Sequence, residues 1–287
     1  MASLSFWETL QDILWFFSIA VALGGIGADA LAERPGAPSF WDPNLRPERP
    51  DLSGVRAVRF LTADDYPPLN FALADGSLTG FNVEIARAVC EQLEIACTIQ
   101  SRRFDTLIDS LTTGKGDAVI ASIAATPSAR ARIDFTQPYY QTPARFIMRK
   151  SAPLTDASVA GLAGKTIGVV AGSSHEAYLK AFFTKTQAKS YENAIALESG
   201  LRSGEIDAAF GDGLTFAVWL NGESAADCCA FLGGPYSESR FFGEGIGIAV
   251  RTDDTALRKA LNWALWRIDR NGTYAEIYYK YFPIGFY

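Results

Sequence analysis

With 287 residues the chain can bury a sizeable core and has room for one large or two medium domains, of which two lobes is the better expectation. Its 48% hydrophobic and 20% charged residues, with 13 Pro and 25 Gly, argue against a disordered chain. A net charge of −6 argues against a nucleic-acid partner, which asks for a basic face.

Residues 13–27, ILWFFSIAVALGGIG, form an apolar run followed by the small-x-small triplets Ala28-Asp29-Ala30 and Ala30-Leu31-Ala32. At 15 residues the run is short for a spanning helix and suits a signal peptide over residues 1–32. A retained N-terminal anchor or a mis-called start is the alternative; Met1–Leu10 lacks the positive charge with which signal peptides begin, which points to a start codon elsewhere. Residues 33–54 shift to Pro, Arg and Asp without strand or helix periodicity, and read as a flexible or polyproline-like tether.

Val58–Thr62 reads as a strand, and Asp64-Asp65-Tyr66-Pro67-Pro68-Leu69 as the loop leaving its carboxyl end. Asp75-Gly76 is a hairpin signal, and Val83, Ile85, Ala86, Val89, Cys90 and Leu93 recur at helical spacing. Thr98–Ser101 is the next strand, with Phe104 opening the loop beyond it and a helix over Thr106–Leu111. This β-α-β-α-β order implies right-handed crossovers and a parallel sheet. Asp117–Ile120 is a buried strand that leaves the sheet through small residues, exposing backbone amides and the hydroxyls of Ser122 and Thr126 where ligands of open α/β sheets sit. Pro127 fits the first turn of a helix whose free N–H groups attract anions, so a carboxylate could dock there. Ile133–Phe135 is a strand, and Thr136–Tyr140 reads as the approach to a hinge.

A second α/β unit follows: Arg145–Arg149, strand Lys165–Ala171, helix His175–Phe183, helix Ala194–Ser203, strand Ile206–Gly211 and helix Leu214–Leu220. Phe242–Arg251 reads as a return strand, Asp254–Asn271 as an amphipathic helix, and Gly272-Thr273-Tyr274 restarts a final helix ending at Phe282.

The stretch DAVIASIAATPSARARIDFTQPYY (117–140) resembles the D-A-[IV]-I-x-S-[IL]-x-x-T-P-x4-[KR]-[IV]-D-F-[ST]-x-P-Y-Y signature of the bacterial extracellular solute-binding proteins of family 3. The endings FGEGIGI and NGTYAEIYYKYF are similar to that family's too. The resemblance spans about Val58 to Phe282. It implies an α/β, two-lobed periplasmic-binding-protein-like (type II) fold, each lobe a mainly parallel sheet flanked by helices. The lobes, 55–143 with 241–287 and 144–240, would be joined by a two-crossing hinge. It also implies a monomeric periplasmic receptor that captures an amino acid or related small polar solute and feeds the membrane permease of an ABC importer, with no cofactor.

Carried onto this chain, the resemblance makes Asp212 the partner of a ligand ammonium group, although Asp212 also suits a helix N-cap before Leu214. Amides near Ser122 and at Ser174, read as helix N-termini on opposite lobes, would cradle a carboxylate, or serve only as ordinary caps and turns. Tyr66 and Phe104 match aromatic wall positions, and His175 falls where relatives place a side-chain-recognising polar residue. A lone histidine at a helix start is otherwise a surface residue, and without a Cys or carboxylate cluster beside it neither metal binding nor catalysis is expected. Relatives carry a ligand-clamping Arg where this chain has Ala129; Arg130 is the nearest candidate, but one residue along a helix turns a side chain by about 100°. Ala63, Ala121 and Ala124 also stand where relatives have acidic or hydroxyl residues, which implies a less polar pocket than that of a lysine or arginine receptor.

Cys90 and Cys97 sit where several family members carry a disulfide, and export would favour the bond; two buried thiols are the alternative. The adjacent Cys228 and Cys229 are not expected to bond, nor to form a zinc site. Two rival functions share the scaffold: an accessory or sensor protein of the type associated with quinoprotein dehydrogenases, and a cyclohexadienyl-dehydratase-like enzyme.

Overall fold

The computed structural model describes residues 37–42, 44–53, 57–283 and 285–287. The chain divides into a first unit, Met1–Pro35, and a second, Gly36–Tyr287; the apolar run and the start of the tether lie outside the described residues.

In chain order the elements are β1 (Ala57–Thr62), β2 (Asp65–Tyr66), β3 (Asn70–Ala72), β4 (Leu78–Thr79), α1 (Phe81–Leu93), β5 (Ala96–Ser101), α2 (Leu107–Thr112), β6 (Ala118–Val119), α3 (Pro127–Arg130) and β7 (Asp134–Phe135). Then come β8 (Ala144–Arg149), β9 (Thr166–Val170), α4 (Ser174–Phe182), β10 (Gln187–Tyr191), α5 (Ala194–Ser203), β11 (Ala208–Asp212) and α6 (Gly213–Asn221). The chain ends with β12 (Cys229–Tyr236), α7 (Ser239–Phe242), β13 (Ala249–Val250), α8 (Thr255–Arg270) and α9 (Thr273–Tyr281).

Two five-stranded sheets result, ordered β5-β1-β6-β13-β7 and β10-β9-β11-β8-β12. Each is mixed. The first three strands of each run parallel, and the last two pair antiparallel where the chain returns. Both sheets are buried on both faces, with neighbours along a strand going to opposite cores as the pleat requires. Val58 and Phe60 of β1 join the core under α1, α8 and α9, whereas Leu61 joins the one under α2. Phe146 and Ile147 of β8 divide in the same way between the second sheet's two cores.

The chain passes between the sheets twice, after β7 and after β12, and the two passages lie side by side. Tyr139 N–H donates to Ile246 O (2.9 Å) and Ile246 N–H to Tyr140 O (2.8 Å). Gly245 allows this approach: its φ is +97°, and a Cβ there would come 2.8 Å from Pro138 Cβ and 3.0 Å from Tyr140 O. The expected continuous return strand over 242–251 is therefore corrected: Phe242 ends α7 on the second core, and only Ala249–Val250 forms a ladder. α6 bridges the halves, because Leu214 and Ala217 pack into the first core.

α1 starts at Gly80, whose φ of 120° and proximity to Leu69 O (2.4 Å from a built Cβ) admit only glycine, and it stops at Glu94 in the left-handed region. Its first residue, Phe81, is fully buried among the rings of Tyr139, Tyr140, Tyr274, Tyr278, Tyr281 and Phe282, with centroids 5.1–6.5 Å away. At its other end Cys90 is bonded to Cys97 at the start of β5, with Cα atoms 6.1 Å apart. The bond closes a loop of sequence separation 7, so the Cys90→Ser/Cys97→Ser variant is expected to lose about 2.5 kcal/mol in urea denaturation. A loss below about 0.5 kcal/mol would mean the bond constrains nothing.

Cys228 and Cys229 are also bonded, against the sequence expectation, in a sharp turn entered through Ala226 and Asp227, both left-handed. A second correction concerns the tether. In its described part it runs along the first half instead of hanging free: Ala37, Phe40, Trp41 and Leu52 pack on that core, and Ser39 Oγ donates to Asp269 (3.1 Å). Arg49 lies over Trp263 (5.6 Å). A cavity of about 660 Å³ opens between this strap and α8, away from the strand ends discussed next.

Candidate functional site

The carboxyl ends of β1, β5 and β6 converge on one wall, as expected where ligands sit in α/β sheets. Ala63 follows β1, the β2–β3 hairpin brings Asp65, Tyr66 and Asn70, Phe104 follows β5, and Ala121 and Ser122 follow β6. These residues line a cavity of about 420 Å³. The rings of Tyr66 and Phe104 are 51% and 54% exposed, high for large apolar groups and suited to a wall that awaits a ligand.

Behind the wall runs a buried polar chain. Asn70 Nδ2 donates to Ala63 O (3.1 Å), and Asn82 Nδ2 to Asn70 Oδ1 (2.7 Å) and Ser122 Oγ (2.9 Å). Tyr139 donates to Asn82 Oδ1 (2.7 Å), and Tyr140 to Ser122 Oγ (2.6 Å). Burial pushes both phenols up, so both remain donors. Ser122, held at φ +61°, thus accepts twice through Oγ, and its own proton is left to donate outward. Asn70, Asn82 and Tyr140 are supports that sequence reasoning did not assign; the one available signal was Asn82, a polar residue opening the otherwise apolar face of α1.

The opposite wall comes from the second sheet. Asp212 ends β11 and caps α6, its Oδ1 accepting from Thr215 N–H (2.7 Å) and Thr215 Oγ1 (2.9 Å). Capping uses one carboxylate oxygen and leaves the charge in place: burial, and after it the Asp212 charge, raises the Tyr66 phenol, and that charge acts also on Tyr140 and His175. His175 stacks on Phe242 (5.3 Å) and meets Phe210 edge-on (5.9 Å). The cap of α4 is Ser173, which accepts from Glu176 N–H (3.1 Å), so the helix begins at Ser174.

Burial lowers the His175 pKa from 6.5, with Asp212 opposing. The unfolded chain therefore binds more protons between the lowered value and 6.5, and stability is complete above about pH 6.5 and declines as pH falls through the folded pKa. His175→Gln is expected to flatten this limb of the urea midpoint between about pH 7 and pH 5. An unaltered profile would show that His175 does not titrate in that window.

Two expectations are corrected. Ser122 is not at a helix N-terminus: α3 begins at Pro127, which has no N–H, and Thr126 Oγ1 already accepts from Ala129 N–H (3.2 Å), so what Ser122 itself offers is its hydroxyl. Arg130 does not line the cavity of Tyr66, Phe104 and Ser122. Ala129 faces the core, whereas Arg130 pairs with Glu244 (3.2 Å), lies over Phe135 (5.5 Å) and lines, with Thr126, Arg240 and Phe242, a separate cavity of about 490 Å³ between the two halves. Tyr66, Phe104 and Ser122 line one cavity, while Asp212 and His175 lie on the second sheet's side, where the Asp212 charge acts on His175 and on Tyr66. Among the described residues no group of three metal-ligating side chains is brought together.

The sequence profile of the bacterial extracellular solute-binding proteins, family 3, matches residues 58–284. The chain belongs to that family. This family-3 protein is 35% identical over 240 residues to an L-arginine-binding protein of Pseudomonas aeruginosa, covering 83% of this chain and 92% of the relative. It is 30% identical to the histidine-binding periplasmic protein of Salmonella typhimurium, covering 80% and 89%. Among solved structures, a Salmonella typhimurium periplasmic binding protein described for high arginine specificity superposes with a TM-score of 0.50 at 32% identity, covering 79% of this family-3 chain and 100% of the other. Its curated relatives are amino-acid-binding proteins.

Proposed function

We propose that this protein is a periplasmic receptor that closes on a small cationic solute and presents it to the permease of an ABC importer, without chemistry on the solute. The observation that carries this reading is Asp65 lining the cavity beside the Tyr66 and Phe104 rings, with the Asp212 charge of the second half acting on Tyr66. Carboxylates fix a cation by charge, and aromatic faces add cation–π attraction. In this reading residues 55–143 and the segment after α7 form one closing half, residues 144–240 with α7 form the other, and the leader delivers a monomer to the periplasm. The P. aeruginosa relative is named for binding L-arginine, which supports a cationic ligand. A thermal-shift screen against amino acids, organic amines and small carboxylates tests it. A ligand at about 100 times its Kd stabilises by about 2.7 kcal/mol, and cations are expected to give the largest shift. No shift with any cation, or the largest with a neutral or anionic solute, would reject it.

A further inference from the structure

We infer that Arg145 is a positioning residue for closure: a buried cation at the pivot of the two halves, part-satisfied while the cleft is open, that shifts the balance toward the shut arrangement. The inference rests on the receptor reading above. Arg145 is the second residue of β8, just beyond the first passage, and is only 6% exposed. Its Nη2 donates to Gly233 O (2.8 Å), in the stretch of β12 where the register slips ahead of the second passage, and its guanidinium lies 4.3 Å over the Phe231 ring. One side chain thus touches the second-half ends of both passages. Its Nε and Nη1 are buried without a partner, and among the described residues no ion pair holds the guanidinium.

A buried cation with idle donors and no counter-ion raises the energy of the arrangement that contains it. The acceptors at hand belong to the first half. Gly213 separates Arg145 from one of them: a Cβ there would stand 2.9 Å from Arg145 Cγ and 3.2 Å from Phe286 O. Phe286 is part of the first core, and the Tyr278 ring packs on it at 5.5 Å with its hydroxyl buried. Phe231 itself borders a core of each half. Rotation of the second half carries Arg145 along with β8, while Phe286 and Tyr278 stay with the first. A turn that brings the idle donors onto these oxygens removes the cost. The open arrangement, with Tyr66 and Phe104 half exposed, is therefore the one that Arg145 disfavours.

Calorimetric titration of the full chain with L-arginine, agmatine and putrescine, alongside a thermal melt without solute, tests this. Arg145→Met keeps the apolar stem and removes every donor. It is expected to leave the melting temperature of the unliganded chain little changed, since a buried unpaired charge is lost, and to weaken binding about tenfold because fewer molecules shut. Arg145 does not line the cavity of Tyr66 and Phe104, so such a loss cannot come from a broken solute contact. Arg145→Lys keeps the charge but not the fork of donors; it is expected to weaken binding several-fold, and carries the test if the Met variant fails to fold. Unchanged affinity in either variant, or a loss confined to a variant whose melting temperature has collapsed, would overturn the inference and leave the receptor reading standing. If none of the three cations binds the wild type, the cationic-receptor reading itself fails, and this inference with it.

Discussion

Asp212→Asn is expected to cost about a hundredfold in affinity for a cationic ligand while leaving the fold almost as stable as before. Two roles meet in this side chain, and the substitution separates them. As the cap of α6 it offers Oδ1 to Thr215, a task that the Asn side-chain oxygen performs about as well. Losing the charge at a helix N-terminus costs about 0.3–1 kcal/mol, so the melting transition should move little. The charge itself is irreplaceable. A bound cation that loses its carboxylate partner inside a closed cleft forfeits about 3 kcal/mol, which is roughly two decades in Kd. Titration calorimetry alongside a thermal melt reads both quantities. Unchanged affinity would remove Asp212 from the site, and a large drop in melting temperature would make it chiefly a structural cap.

Phe81→Ala is expected to be the most destabilising single change near the site. The ring is fully buried, and six aromatic neighbours would close only partly around the void. Phe→Ala in such a setting costs about 3–5 kcal/mol, a large share of the 5–15 kcal/mol that holds a typical domain folded. Binding should weaken as well, because the ring packs on Tyr139 and Tyr140, which orient Asn82 and Ser122. Urea denaturation measures the first effect, and a loss under about 1 kcal/mol would show that the aromatic cluster reorganises freely.

The elements that sequence reasoning placed well are those whose burial is periodic. The apolar faces of α1 and α8 repeat at helical spacing and are the faces found in the first core. The signature over residues 117–140 marked the strand end that carries Ser122. The elements left out lack such a pattern. β10, QAKSY, is a polar edge strand, and β12, CAFLGGPY, carries two glycines and a proline with a register shift between Leu232 and Tyr236. In the return segment, glycines spaced by two mimic an alternating strand, yet Gly245 serves the close approach of the two passages.

At the site, chemistry-bearing side chains were legible from their places after strand ends, and the polar chain behind them was not. Asn70 and Asn82 meet only once the hairpin folds against α1, so no local pattern in the sequence joins them. Arg130 shows the opposite case: a residue type suited to a ligand carboxylate is turned by a single helical step toward Glu244.

In the proposed receptor the two halves shut over a cation that Asp65 and Asp212 neutralise. Small-angle X-ray scattering of the full chain, with and without the tightest cation found by titration, tests it most directly. The radius of gyration should fall on addition to the wild type and stay constant in Asp212→Asn at the same concentration. A radius unchanged in the wild type, with calorimetry confirming that the site is filled, would contradict the account.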